Sequence, residues 1–318
     1  MATQASLFQI PKSYLTRTLL VVGAVLLCFN VSAATIAVVL SENSAPYLEV
    51  LNAIRSGVGN EHSVIQLVAD QTDVLETAPS TSLIITVGVK AAESVVKYSP
   101  KIPVIAALVP RDWYIHGGQS QLATGQRMST AVFLDQPFSR QLRLVKEALP
   151  KASRLGVVLS SAQSWQLREL QSQAKSFHIS IIEETLGPNQ RLVESLEEVL
   201  RNSDLLLALP DSEVFNRGTA QTIFLTTYRY RVPVVGYSHS LTRAGALVSI
   251  YSSPAQIGQY AAEIALKTLS NGSIKLPPAQ FPRYYSISTN EHVARSLGVD
   301  LPNEATLLGH LREGDGLD

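Results

Sequence analysis

The chain has 318 residues, 46% of them hydrophobic and 16% charged, with Lys+Arg and Asp+Glu both at 26. That length and composition support a sizeable core, in one large domain or two lobes of ordinary size, and exclude a disordered chain. The balanced charge offers no basic excess for nucleic acid, DNA included, or for an anionic membrane surface.

Residues 1–33 read as a signal peptide. Lys12 and Arg17 form a positive start, and the apolar run from Leu19 to Leu27 is too short to span a bilayer comfortably. Val31-Ser32-Ala33 then places small residues where a signal peptidase needs them. The expected location is the periplasm. Cys28 is the single cysteine and lies inside this segment, so the exported chain has no internal disulfide. Bulky Leu27 before it argues against lipoprotein anchoring at Cys28.

From Thr35 onward a pattern repeats: an apolar run of strand length, a polar or Gly/Pro break, then an amphipathic helix. In the first round, strands are predicted over 35–40, 63–69, 82–88, 102–108 and 129–134. Ser44 stands as N-cap and Pro46 as an early residue of a helix whose stripe is Tyr47, Leu51, Ile54 and Val58. Residues 109–127 read as a long irregular stretch broken by Pro110, Gly117, Gly118 and Gly125, and loops of that length are often functional. Leu142, Val145 and Leu149 mark the helix that follows the fifth strand.

The second round predicts strands over 154–159, 179–184, 204–209, 232–237 and 246–251, with a helix over about 164–178. Ile257, Ala261, Ile264, Ala265, Thr268 and Leu269 form a helical stripe that ends at Asn271-Gly272. A strand near 284–288 and a short helix from Asn290 precede a polar tail. Strands and helices alternating in this way make an α/β protein with two doubly wound parallel-sheet lobes. In such sheets ligands bind beyond the carboxyl ends of the strands, so the candidate site residues are sought there.

The strand ends also carry a resemblance. Leu209-Pro210-Asp211, the run from Val232 to Ser238, the run from Arg243 to Ser249 and the run from Gln256 to Ala262 follow one another in the second half. Ile85 to Ala92 and Ile102-Pro103-Val104-Ile105 stand in the first. In order and spacing these resemble the ABC-transporter substrate-binding family of periplasmic proteins, whose better-known members bind aromatic amino acids. The resemblance implies the type I periplasmic binding-protein fold, with two lobes joined by a hinge. It implies one lobe of residues 34–130 plus 252–281 and a second of 131–251 plus 282–318 with the C-terminal tail. It also implies a small-molecule ligand, an amino acid or related small polar solute, handed to an ABC permease. The chain departs from the family pattern in two places. Val89-Lys90 replace a small hydroxyl residue and Pro after the family glycine, and Tyr237-Ser238-His239 replace commoner polar or acidic residues.

Five groups of residues are candidates for ligand binding, each with a plainer reading. Ser41, Glu42 and Asn43 suit ligand hydrogen bonds, or belong to helix capping. Gly88, Val89 and Lys90 lie where a helix start favours an anion, or form an ordinary βα turn. Ser160, Ser161 and Trp165 suit a pocket wall, or a partly exposed helix surface. Asp211 suits a ligand ammonium or hydroxyl, or caps its own turn. Tyr237, Ser238 and His239 end a strand, where His239 has the chemistry of a general base. However, Gly236-Tyr237-Ser238-His239-Ser240 lacks the last glycine of a nucleophile elbow, and no acidic partner follows from the sequence. The six histidines are scattered, and neither a Walker A nor a dinucleotide-binding glycine motif is present, so no metal, cofactor or catalytic residue is expected. The expected function is binding rather than catalysis. The alternatives are an exported α/β enzyme using the same cleft, and a ligand sensor without a transporter.

Overall fold

The structure, a computed structural model, describes residues 34–77, 80–98, 101–187, 191–270 and 275–316. The signal-peptide reading, Cys28 and the helix end at Asn271-Gly272 fall outside these residues. Five strands, β1 (Thr35–Leu40), β2 (Ser63–Val68), β3 (Thr81–Val87), β4 (Val104–Val109) and β5 (Ser129–Phe133), form one sheet in the order β2-β1-β3-β4-β5. All its pairings are parallel. Six more form a second sheet: β6 (Arg154–Ser160), β7 (Ser180–Leu186), β8 (Leu205–Leu207), β9 (Val234–Gly236), β10 (Val248–Tyr251) and β11 (Ser286–Thr289). Their order is β11-β10-β9-β8-β6-β7, parallel except that β11 runs against β10.

Both faces of each sheet are covered, which is why the strand sequences are continuously apolar rather than alternating. In β1, Ile36, Val38 and Leu40 enter one core while Ala37 and Val39 enter the core on the opposite face. In β6, Val157 and Leu159 serve one core and Val158 the other. The edge strand β7 is the contrast: it is half-covered and tolerates Glu183 and Glu184.

The principal helices are α1 (Ala45–Val58), α2 (Val89–Tyr98), α3 (Phe138–Ala148), α4 (Ser164–Ala174), α5 (Leu192–Leu200), α6 (Ala220–Arg229), α7 (His239–Ala244), α8 (Pro254–Ser270), α9 (Glu291–Leu297) and α10 (Glu304–Asp315). Although α8 lies in the chain between β10 and β11 of the second sheet, it packs on α1 beside the first: Ile257, Ala261 and Ala265 join the core of Val50, Leu51 and Ile54. A Cβ on Gly258 would lie 2.5 Å from the Val50 carbonyl oxygen, so only glycine lets the two helices cross this closely.

The chain passes between the sheets three times: after β5, after β10, and between Gln280, which bridges to Val132 at the edge of β5, and β11. Two segments differ from the sequence reading. Residues 109–127 are not irregular but a series of short helical turns, broken where Gly117 and Gly125 take φ of 151° and 72° and anchored by buried Tyr114 and Leu122. The polar tail contains α10. Asn303 caps it by accepting the Thr306 N–H, Leu307 and Leu311 are fully buried, and Asp315 takes hydrogen bonds from Arg140 and Arg143.

Candidate functional site

A cavity of about 790 Å³ lies between the carboxyl ends of the two sets of strands. From the first-sheet side it is lined by Glu49 of α1 and by Pro110 and Asp112 after β4. The crossing segments contribute Asp135, Gln136, Ser252 and Ser253. The second-sheet side contributes Gln163 and Gln166 near α4, Asp211 and Phe215 after β8, and Tyr237, Ser238 and His239 after β9. A larger depression of about 930 Å³ lies around α9 and the segment before α10. It takes residues from the second-sheet side alone, whereas the cavity joins residues from both. The cavity is therefore the candidate site.

Four of the predicted residues meet there: Asp211, Tyr237, Ser238 and His239. Asp211 is buried, and both its oxygens are in use. Oδ2 accepts the Ser160 N–H at 2.7 Å and Oδ1 the Glu213 N–H at 3.0 Å. It therefore holds the end of β6 to the loop after β8 and presents negative charge to the cavity. Burial, and then the Asp211 charge, push the Tyr237 hydroxyl's pKa up, so it is a protonated donor at neutral pH. Its ring meets Phe215 edge-on at 6.4 Å. The Ser238 hydroxyl accepts the Leu241 N–H and caps α7. The His239 ring lies 6.1 Å from that of Tyr251.

The remaining predicted residues do not line this cavity. Ser41 is buried; its hydroxyl donates to the Val87 carbonyl and accepts the Ala91 N–H, tying β3 to the first turn of α2. Glu42 accepts a hydrogen bond from Ser44, whose hydroxyl consequently does not cap α1, and Asn43 accepts one from Gln66. Gly88 has φ of 88°, and the Ser41 hydroxyl and Tyr47 ring lie within 2.7 Å of where its Cβ would be. The turn is therefore covered from that side. Val89 packs into the core and exposed Lys90 pairs with Asp70 at 3.3 Å. Ser160 is buried, and Ser161 is exposed.

Trp165 joins the two sides of the cleft. Its Nε1 donates to Asp112 at 2.7 Å. Arg111, next to Asp112, pairs with Glu169 of α4 at 2.6 Å and lies over the Trp165 ring at 5.2 Å. At the crossings, one polar network holds all three passages. The Gln136 amide donates to the Ser252 hydroxyl at 2.8 Å, and Ser252 donates to the Tyr284 carbonyl. Arg140 donates to Gln136 and to the Pro282 carbonyl, and is fixed by Asp315 at 2.8 Å.

Sequence reading missed Glu49, Asp112, Asp135, Phe215 and Tyr251 in the lining. Asp135 had a visible signal, since it stands two residues beyond the end of β5, where strand ends deliver ligand contacts. Burial pushes its carboxyl up, opposed by the hydrogen bond from the Arg111 N–H. Glu49 had none, because it is one polar residue on a long helix. Among the described residues no cluster of His, Cys, Asp and Glu is arranged to hold a metal ion.

The profile of the family described as ABC transporter substrate binding protein matches residues 56–308. The chain belongs to that family. As a substrate-binding protein it shares its fold with a Streptococcus pneumonia ABC domain solved in complex with L-Trp, at 16% identity and TM-score 0.57, covering 87% of this chain and 98% of that one. It is similar, too, to the ligand-free, open structure of a substrate-binding protein with adhesive properties from Clostridium difficile. There the identity is 17% and the TM-score 0.68, over 85% and 97% of the two chains. A conserved domain protein from Vibrio cholerae matches at 19% identity and TM-score 0.56, over 87% and 98%. No curated protein matches the sequence significantly. The two α/β lobes are those of the periplasmic binding proteins, and the family is one of solute binders rather than an enzyme class.

Proposed function

We propose that this substrate-binding protein is exported by its N-terminal segment, traps a small organic solute between its lobes and presents it to an ABC permease. The observation that carries the reading is the cavity of about 790 Å³, lined from both sheets and from the segments that cross between them. A solute there is contacted from two sides only when the lobes approach, so it stabilises the approached state by its extra affinity for that state. The lobes are taken as the sequence suggests, except that the first boundary moves from 130 to the end of β5 at Phe133, because that strand pairs with β4 along its whole length. Of the predicted residues lining the cavity, Tyr237, Ser238 and His239 are taken as solute contacts and Asp211, whose oxygens are both engaged, as a source of charge. The L-Trp held by the streptococcal protein puts amino acids among the candidates.

A screen of amino acids, amines, organic acids and sugars by thermal shift tests this. A solute that raises the melting temperature and is recovered unchanged supports binding. Turnover of that solute, lost in His239→Ala, would instead indicate an enzyme.

A further inference from the structure

The charge of the cleft narrows the solute class, an inference that rests on the binding reading above. The charged side chains lining the cavity are Glu49, Asp112, Asp135 and Asp211, and among the described residues no Lys or Arg joins them. The nearest guanidinium groups are committed elsewhere. That of Arg111 pairs with Glu169 and lies over Trp165 and Phe281 at 5.2 and 5.3 Å. That of Arg140 is held by Asp315, Gln136 and the Pro282 carbonyl.

Several backbone donors beside the cavity are engaged as well. At the start of α8 the Ser253 N–H donates to the Gln256 side chain, and the Gln256 N–H to the Ser253 hydroxyl. At the start of α7 the Leu241 N–H is taken by Ser238. An anion entering this cavity would meet four carboxylates and no lysine or arginine among the lining residues.

We propose that the cleft selects an organic cation, an amine or similar cationic group on an apolar body, over the corresponding zwitterion or anion. The exposed Glu49 side chain makes no hydrogen bond or ion pair with another described residue, so its carboxylate is open to a ligand. Asp135 receives the Arg111 N–H on Oδ2 and Asp112 receives Trp165 on Oδ1, so each keeps one oxygen outside those bonds. Asp211, with both oxygens engaged, adds field rather than a contact. Phe215, Tyr237 and Tyr251 supply ring surface for an apolar body and favour a cation over their faces. The cost of keeping the Asp135 carboxylate ionised in its buried position is relieved by a bound cation.

The test is calorimetric titration of the whole protein with probes sharing one phenyl body: phenethylamine, L-phenylalanine, 3-phenylpropanoate and 2-phenylethanol. The solutes that raise the melting temperature in the screen above are titrated alongside and sorted by charge. Expected is a ranking with cations tightest. Glu49→Gln, at an exposed helix position that leaves the fold intact, should weaken the tightest cation by about tenfold and leave 2-phenylethanol unchanged. Tightest binding by an anion, a zwitterion or a sugar, or a cation indifferent to both Glu49→Gln and Asp135→Asn, overturns the charge selection while leaving solute binding in place. No binding by any solute of any class overturns both.

Discussion

Asp204 ties the start of β6 to the turn before β8. Burial raises its pKa, but hydrogen bonds from the Arg154 side chain and from the Ser153 and Arg154 N–H groups outweigh this and bring it down to about 2. Because the folded value lies below the unfolded one of about 4, the stabilisation is complete above about pH 4 and disappears as pH falls through 2. With Arg154 half-exposed, solvent screening leaves about 1 kcal/mol of it. Asp204→Asn should therefore lower urea stability by about that much at pH 7, with the gap closing near pH 2. Gly88 is a second residue with a single physical reason. Alanine there must adopt φ of 88° and push its Cβ against Ser41 and Tyr47, so Gly88→Ala should cost about 2–3 kcal/mol, measured by urea unfolding. In the sequence this position suits either an anion site at a helix start or an ordinary βα turn. What the sequence could not give was the Tyr47 ring and Ser41 hydroxyl folded over it, because that contact joins two separate βα units.

At the scale of elements, the crossings and the cross-cleft contacts set how the lobes meet. Gln136→Ala removes the amide that links Ser252 and Arg140, leaving buried polar groups without that partner. The expected loss is about 1–3 kcal/mol in urea unfolding. Trp165→Phe with Glu169→Gln removes the hydrogen bond to Asp112 and the ion pair to Arg111 while keeping an aromatic ring at 165 and the side-chain shape at 169. The solute-free double variant should show a larger radius of gyration than the parent. An unchanged radius would mean that these contacts do not hold the lobes together. Strand elements were the most legible in the sequence, since β1 and β6 are short, Val/Ile/Leu-rich runs bounded by polar breaks, the composition of a strand buried on both faces. Helix α10 was not, because its buried stripe rests on Leu307 and Leu311 within an otherwise polar segment. Its Asn303 cap was the available signal.

At the scale of the molecule, the order of strands and helices carried the two-lobe α/β architecture, while the family came from the resemblance of runs such as Leu209-Pro210-Asp211 and Val232 to Ser238. The candidate site was only partly legible. Asp211 and Tyr237 to His239 follow strands whose ends face the cavity, and the strand-end rule reaches them directly. Asp112 lies in the helical turns after β4, and Glu49 lies on a helix, so their presence depends on how the first lobe is placed against the second. Local sequence holds no record of that placement, which is settled by the three crossings and the network at Gln136. The same crossings make the central claim measurable. Small-angle X-ray scattering, with and without a saturating solute from the thermal screen, reads lobe approach directly. The account predicts a smaller radius of gyration on solute addition, with the solute recovered intact. A radius that stays the same while the solute is chemically converted would contradict it.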